Sequence, residues 1–213
     1  MKLMINEIYY SIQGESSYTG KPCIFIRLTY CNLRCSYCDS EYTFHEGKEL
    51  AIDQIIEKIK QYPCSLVEVT GGEPLFQKGC ILLLKRLIEE KYKVLLETSG
   101  SLPIKDVPEK VINIIDFKCP SSKMMKKNLW ENINYIKQND EIKFVIGNKE
   151  DYNWAKERIT QYALTEKCAV LMSPAYEEIE SKKIVEWILE DNLNVRFQIQ
   201  LHKEIWNPNK KGV

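Results

Sequence analysis

The run Cys23-Ile-Phe-Ile-Arg-Leu-Thr29, followed almost at once by Cys31-Asn-Leu-Arg-Cys35-Ser-Tyr-Cys38, decides how the chain is read. Its first half is short, apolar and rich in β-branched and aromatic residues, the signature of a strand. Its second half puts three thiols into eight residues. Three thiolates on one short loop can converge on a soft centre, either zinc or an iron–sulfur cluster. A structural zinc site wants four ligands, and no fourth Cys or His stands at a familiar spacing. His45, seven residues on, is the nearby candidate and His202 is the only other histidine. Three ligands on a loop therefore point to a centre with an open coordination position, the arrangement that catalytic metal sites keep. Chance clustering is the weaker reading, given the tight spacing and the aromatic Tyr37 before the last thiol. The other five cysteines, Cys23, Cys64, Cys80, Cys119 and Cys168, are scattered singly. Most read as small buried hydrophobes; Cys119, beside Lys118 and Pro120, stays open.

Outward from that loop, short β-branched runs alternate with amphipathic stretches. Residues 23–29, 66–69, 94–97, 112–117, 142–146, 169–172 and 195–200 read as strands. Residues 53–62, 82–92, 152–164 and 179–191 read as helices; in the first of these, Ile52, Ile55, Ile56 and Ile59 follow the i, i+3, i+4, i+7 rule. Such alternation implies βαβ units and a parallel sheet. About six units are countable, too few for an eight-fold barrel of roughly 250 residues. The expectation is one α/β domain over 1–213, a partial (β/α) barrel of about six strands or a doubly wound sheet. In either, the site lies at the C-terminal ends of the strands.

Composition narrows the function classes. The chain has 213 residues, with 30 Lys plus Arg against 30 Asp plus Glu. Zero net charge argues against a protein built to bind nucleic acid or an anionic membrane. No apolar run exceeds five residues, and the amino-terminal MKLMINEIYYSIQGE lacks the apolar core of a signal peptide. A cytoplasmic location with reduced thiols is expected, so a disulfide framework is not.

With Thr70-Gly71-Gly72-Glu73-Pro74 following the second strand, the cysteine loop resembles the radical S-adenosylmethionine (SAM) enzymes. In them three cysteines hold a [4Fe–4S] cluster whose free iron chelates SAM, and a Gly-Gly-Glu-Pro turn meets the SAM amino group through backbone. Within that superfamily the sequence is closer to the 7-carboxy-7-deazaguanine synthases, over nearly the whole chain. The resemblance implies that Cys31, Cys35 and Cys38 ligate the cluster and that Ser40 of Cys38-Asp39-Ser40 binds magnesium. It puts Tyr37, Cys38, Asp39, Gly72, Asp116, Phe117, Lys118 and Ser173-Pro174-Ala175-Tyr176 on SAM. Ile12, Gln13 and Gly14 of Ser11-Ile12-Gln13-Gly14-Glu15, with Arg27 and Thr70, fall on the substrate. The ending Gln200-Leu201-His202-Lys203 resembles the family's Q-x-H-K tail, whose terminal carboxylate, here Val213, would contact the pterin. The sequence departs in three places: Ser16-Ser17 follows Glu15 in place of Gly, Asp116-Phe117 replaces Ser-Pro, and Ser173-Pro174 replaces Gln-Pro.

The activity so implied is conversion of 6-carboxy-5,6,7,8-tetrahydropterin to 7-carboxy-7-deazaguanine with loss of ammonia, on the route to queuosine. Its parts would be a homodimer, a small reductant protein such as flavodoxin, and SAM cleaved to methionine and a 5′-deoxyadenosyl radical. Three other readings compete: a glycyl-radical-enzyme activating protein, a non-enzymatic iron–sulfur electron carrier, and a zinc-stabilised interaction module. Taken singly, the residues also have plain readings. Arg27 fits a strand edge, Ser40 a helix cap, and Trp130, Trp154, Trp187 and Trp206 fit packing. Lys123, Lys126 and Lys127 fit a solvated face.

Overall fold

In a computed structural model, residues 1–208 and 210–213 are described. The strands are β1 (Lys2–Ile12), β2 (Pro22–Leu28), β3 (Lys48–Ala51), β4 (Leu66–Gly71), β5 (Lys93–Thr98), β6 (Ile112–Asp116), β7 (Glu141–Ile146), β8 (Ala169–Pro174) and β9 (Arg196–Phe197). The helices are α1 (Ile52–Ile59), α2 (Cys80–Glu89), α3 (Lys149–Gln161), α4 (Leu164–Lys167), α5 (Ser181–Glu190) and α6 (Leu201–Ile205). One sheet takes all nine described strands in the order β3-β1-β2-β4-β5-β6-β7-β8-β9. From β2 to β9 every neighbour is parallel and follows in chain order. A doubly wound sheet reverses its strand order at a switch point, and this one does not; it is the partial barrel.

The strand ranges read from sequence fall on β2 and β4 to β9, the parallel part of the barrel, and two further strands bring the sheet to nine. Two additions are antiparallel: β1 lies between β2 and β3 and extends the sheet past its first parallel strand. β1 escapes a pattern search because its Asn6 and Glu7 interrupt the apolar residues, at a register irregularity in its pairing with β2. The last expected strand, 195–200, keeps only Arg196–Phe197, and the chain then turns into α6.

Strand alternation sorts the side chains. Ile24, Ile26 and Leu28 of β2, with Val67 and Val69 of β4, face outward onto Ile55, Ile56 and Ile59 of α1 and Leu83, Leu84 and Leu87 of α2. Around β7 and β8 a second outer cluster takes Ile142, Phe144, Ile146, Tyr152 and Met172. Inward, Cys23, Phe25, Leu66, Leu95, Ile112 and Ile114 form a small apolar plug, with Tyr9 stacked on Phe25 at 4.9 Å between ring centroids. Above the plug, toward the strands' C-terminal ends, the inward positions turn polar.

The scattered cysteines mostly take the places expected of small hydrophobes. Cys23, Cys80, Cys119 and Cys168 are buried, and Cys119 lies in the outer cluster with Phe117 and Ile133. Trp130 is a packing residue, stacked on Phe117 at 4.7 Å and Tyr162 at 4.8 Å. Lys123, Lys126 and Lys127 are exposed.

Leu84, fully buried between α2 and the sheet, tests this core. Leu84→Ala is expected to lower stability by about 2–5 kcal/mol, the range for emptying a buried Leu site, read from the urea midpoint at unchanged m-value.

Candidate active site

At the C-terminal ends of the parallel strands the barrel holds a cavity of about 910 Å³, within the range that takes a cofactor and a small substrate. Cys31, Cys35 and Cys38 all line it, and all three are free thiols of intermediate burial. Their loop leaves β2 and is held by backbone at several points. The Tyr30 N–H donates to the Thr43 carbonyl at 2.8 Å, Cys38 N–H to Cys35 O at 3.3 Å, and Ser36 N–H to Ser122 O at 3.1 Å. Leu33, 2 % exposed, anchors its middle.

The Gly-Gly turn explains its own composition. Gly72 N–H donates to Leu28 O at 3.2 Å and Glu73 N–H to Tyr30 O at 2.9 Å. A Cβ on Gly71, whose φ is +142°, would overlap the Leu28 carbonyl; one on Gly72 would overlap the Tyr30 carbonyl and lie 2.8 Å from Cys31 Cβ. The glycines are needed first because two stretches of this chain's own backbone pass each other there, before any ligand is considered. Glu73 is completely buried and accepts from Thr98 Oγ1 (2.9 Å), Ser99 N (2.8 Å), Ser99 Oγ (2.5 Å) and Leu75 N (3.0 Å), so its carboxylate is structural.

Among the described residues no three His, Cys, Asp or Glu side chains converge as a single-ion site. A four-iron cluster distributes its thiolates over separate metals, so three free thiols on one wall suit a cluster better than one zinc ion. His45 does not line the cavity and lies against Phe44 at 6.3 Å. For a second ligand beside the cluster, Asp116 supplies a specific mark. Among the described residues its Oδ1 is buried without a hydrogen-bond partner, while its Oδ2 takes the Lys118 ammonium at 2.9 Å. A buried acceptor without a donor is costly, and a ligand carrying hydroxyl or amine donors would satisfy it.

Most of the residues picked out from sequence line this one cavity. Tyr37, Asp39, Ser40, Gly72, Asp116, Lys118, Ser173, Pro174, Ala175 and Tyr176 do, as do Ile12, Gln13, Gly14, Arg27, Thr70 and Val213. Phe117 does not. Its side chain is buried among Trp130 and Phe144, because residue 117 falls on the outward side of the strand alternation. Gln13 lines the wall with its amide already committed: Nε2 donates to Glu68 and Oε1 accepts from Glu15 N at 3.0 Å. Ser40 makes no capping hydrogen bond, and its Oγ lies 3.9 Å from Cys38 Sγ. Arg27 is oriented by Glu7 Oε1 and Tyr9 Oη, each at 2.8 Å, leaving other guanidinium donors for a carboxylate in the cavity.

Sequence reading missed several charged residues that line the cavity, Glu68, Glu97 and Lys143 on the strands among them. The available signal was a lone charge at an inward position of an apolar strand, as in Leu-Val-Glu68-Val and Glu-Ile-Lys143-Phe-Val. Burial, and then the neighbouring Glu97 and Glu15 carboxylates, push Glu68 well above the usual carboxylate range. Burial also lowers His202 from its ordinary value, partly opposed by Glu15 and Asp39, which leaves its imidazole neutral near pH 7.

Comparison with known proteins follows the same lines. A model of the radical SAM superfamily matches residues 25–119. The chain is 45 % identical to a 7-carboxy-7-deazaguanine synthase of Koribacter versatilis, over 99 % of this chain and 100 % of the relative. It is 44 % identical to the protein of that name from Chlorobaculum tepidum, over 99 % and 97 %. The crystal structure of QueE from Escherichia coli shares the fold with a TM-score of 0.80 at 21 % identity, covering 95 % of each chain. No described helix is long and apolar enough to cross a membrane.

Gly72→Ala is expected to push the cysteine loop away from the turn. Iron bound per chain after anaerobic reconstitution should fall well below that of the wild type, while the exposed Lys126→Ala keeps its iron.

Proposed function

From the premise that the chain belongs to the 7-carboxy-7-deazaguanine synthase family of the radical SAM superfamily, we propose that it converts 6-carboxy-5,6,7,8-tetrahydropterin to 7-carboxy-7-deazaguanine. The observation that carries the reading is the shared cavity: three free thiols, Asp116 with its orphaned oxygen and the oriented Arg27 all line one space of about 910 Å³. When bound, a [4Fe–4S] cluster and SAM supply the electron and the radical that remove a hydrogen from the substrate. The chain's residues bind, orient and exclude water.

Cys31, Cys35 and Cys38 hold the cluster, and Asp116 and Lys118 flank the SAM pocket. Arg27 takes the pterin carboxylate through its remaining guanidinium donors, a charge-assisted contact with fixed geometry. Gln13 acts through position: with its amide committed to Glu68 and Glu15, it sets the loop whose Gly14 admits the tail. A Cβ on Gly14 would overlap His202, and Leu201 N–H donates to Gly14 O at 2.9 Å. Val213, at the cavity wall, meets the pterin's amino-pyrimidinone edge. Ser40 holds a magnesium ion, since its hydroxyl is free of capping and Mg²⁺ needs few protein ligands beside substrate oxygens and water. The enzyme works in the cytoplasm as a homodimer, reduced by a small electron-carrier protein such as flavodoxin.

A chain-sized match to these synthases, with a small-molecule cavity bordered by its own tail, favours a pterin over the protein substrate of a glycyl-radical activator. The test is turnover by anaerobically reconstituted protein with SAM, reductant and the pterin, read as 7-carboxy-7-deazaguanine by mass spectrometry. Product from wild type and none from Cys35→Ala, which should also lose its iron, supports the reading. SAM cleavage with the pterin left intact overturns it.

The magnesium role is checked separately. Ser40→Ala is expected to move the magnesium dependence of turnover to much higher concentration. Superimposable titrations of variant and wild type would remove Ser40 as the ligand.

A further inference from the structure

Lys143 is a buried cation that no substrate or cofactor role above absorbs. It stands on β7, 4 % exposed, with three carboxylates around its ammonium: Glu15 at 2.8 Å, Glu97 in closer contact, and Asp116 at 3.6 Å. Burial opposes the charge, but Glu15, Glu97 and Asp116 outweigh it and hold the ammonium well above the usual lysine range. Two of those partners belong to the sheet. Glu15 does not; it sits in the loop between β1 and β2.

From Glu15 the contacts continue outward. Its Oε1 accepts from Gln200 Nε2 at 2.9 Å, and the same amide reaches Asp39 Oδ2 at 3.3 Å. Lys203 Nζ closes the series on Asp39 at 2.9 Å. Glu97, Lys143, Glu15, Gln200, Asp39 and Lys203 thus connect the sheet, the 13–15 loop, the tail and the cysteine loop. Beside this series the tail is met by the Leu201 N–H bond to Gly14 O at 2.9 Å, which lands on the same 13–15 loop, and by Lys203 Nζ lying 4.7 Å over the Tyr176 ring. α6 has five residues and none is buried, so apolar packing does not fasten it over the cavity.

We propose that Lys143 is a positioning residue: its ion pairs to Glu97 and Glu15 fix the 13–15 loop and, through Gln200, hold α6 across the cavity in the arrangement that completes the pterin subsite. The clause about the pterin rests on the reading under Proposed function; the fastening of the tail does not. Removing the cation leaves Glu15 and Glu97 as half-buried neighbouring like charges without their counter-ion, an arrangement that relaxes by displacing the one on the loop rather than the one on the sheet.

The test is hydrogen–deuterium exchange on cluster-loaded protein without substrate. In Lys143→Met, peptides covering 199–206 should exchange at least tenfold faster, while those from β8 stay unchanged. Lys143→Arg, which keeps the charge, should hold the tail's exchange within threefold of wild type. With pterin, Lys143→Met should raise KM at least tenfold, with a smaller change in kcat. Wild-type tail exchange in a folded Lys143→Met protein overturns the proposal. Should that variant fail to fold, Gln200→Leu cuts the series near the surface; faster tail exchange there supports the proposal and unchanged exchange overturns it. Because exchange is read without pterin, a wild-type protein that protects its tail yet consumes no pterin defeats the functional reading alone.

Discussion

The arrangement of the site depends on one passage of backbone against backbone. Gly72 and Glu73 donate their N–H groups to the carbonyls of Leu28 and Tyr30, which joins the end of β4 to the start of the cysteine loop. Those bonds form only where neither chain carries a side chain in the gap, so residues 71 and 72 are glycines. The turn is then locked from the far side by the buried Glu73 carboxylate, whose acceptors are filled by Thr98, Ser99 and Leu75. Gln77, next along, donates to the carbonyls of Met4 and Thr29 and accepts from Met4 N–H. Strands β1, β2, β4 and β5 are in this way tied together where the cysteine loop begins. A loop that must present three thiols in fixed relation needs such an anchor, since loops alone hold geometry poorly.

The same constraint divides the barrel interior. An open barrel of this size has an inward face that must be either filled or hydrated. Phe25, Leu66, Leu95, Ile112 and Ile114 fill the lower part. Higher up, Arg27, Glu68, Glu97, Asp116 and Lys143 leave space and bring charge. Such charges are expensive to bury unless paired, and pairing is what they show: Arg27 with Glu7, Lys118 with Asp116, and Lys143 with Glu15 and Glu97. Among the described residues Glu68 makes no ion pair; it lies against the Gln13 amide, and burial accordingly pushes its carboxyl upward.

Legibility in the sequence followed the range of the interactions. The cysteine loop and the Gly-Gly turn are local, and their spacing alone placed them at the strand ends. The parallel strands were legible because burial on both faces makes their apolar runs continuous, as in Ile-Ile-Asp116 and Lys143-Phe-Val-Ile. β1 was not, because its pattern is broken by polar residues that make sense only beside Arg27, which Glu7 engages from the neighbouring strand. Phe117 was read with its neighbours as one ligand segment, and strand alternation separated it from Asp116 and Lys118. Glu15, Gln200 and Lys143 carry no mutual signal along the chain, for Lys143 and Glu15 stand 128 positions apart.

That long-range set also bears on why the interior is charged at all. A buried ion pair is often no more stabilising than apolar residues of the same volume, so Lys143 with its carboxylates is poorly explained as a device for stability. An apolar replacement could fill the lumen, as the plug beneath it does. It could not reach through Glu15 to the Gln200 amide, because dispersion contacts are non-directional and hold no bond angle. A cavity that must take up its ligands and then keep water from a reactive centre needs a closure that opens and re-forms in one register. Directional polar contacts on a short helix with no buried residue provide that, whereas a greasy helix would close more tightly and release its product more slowly. The charge inside this barrel is accounted for by what directional contacts do and apolar packing does not, which is to set the tail in one register over the cavity.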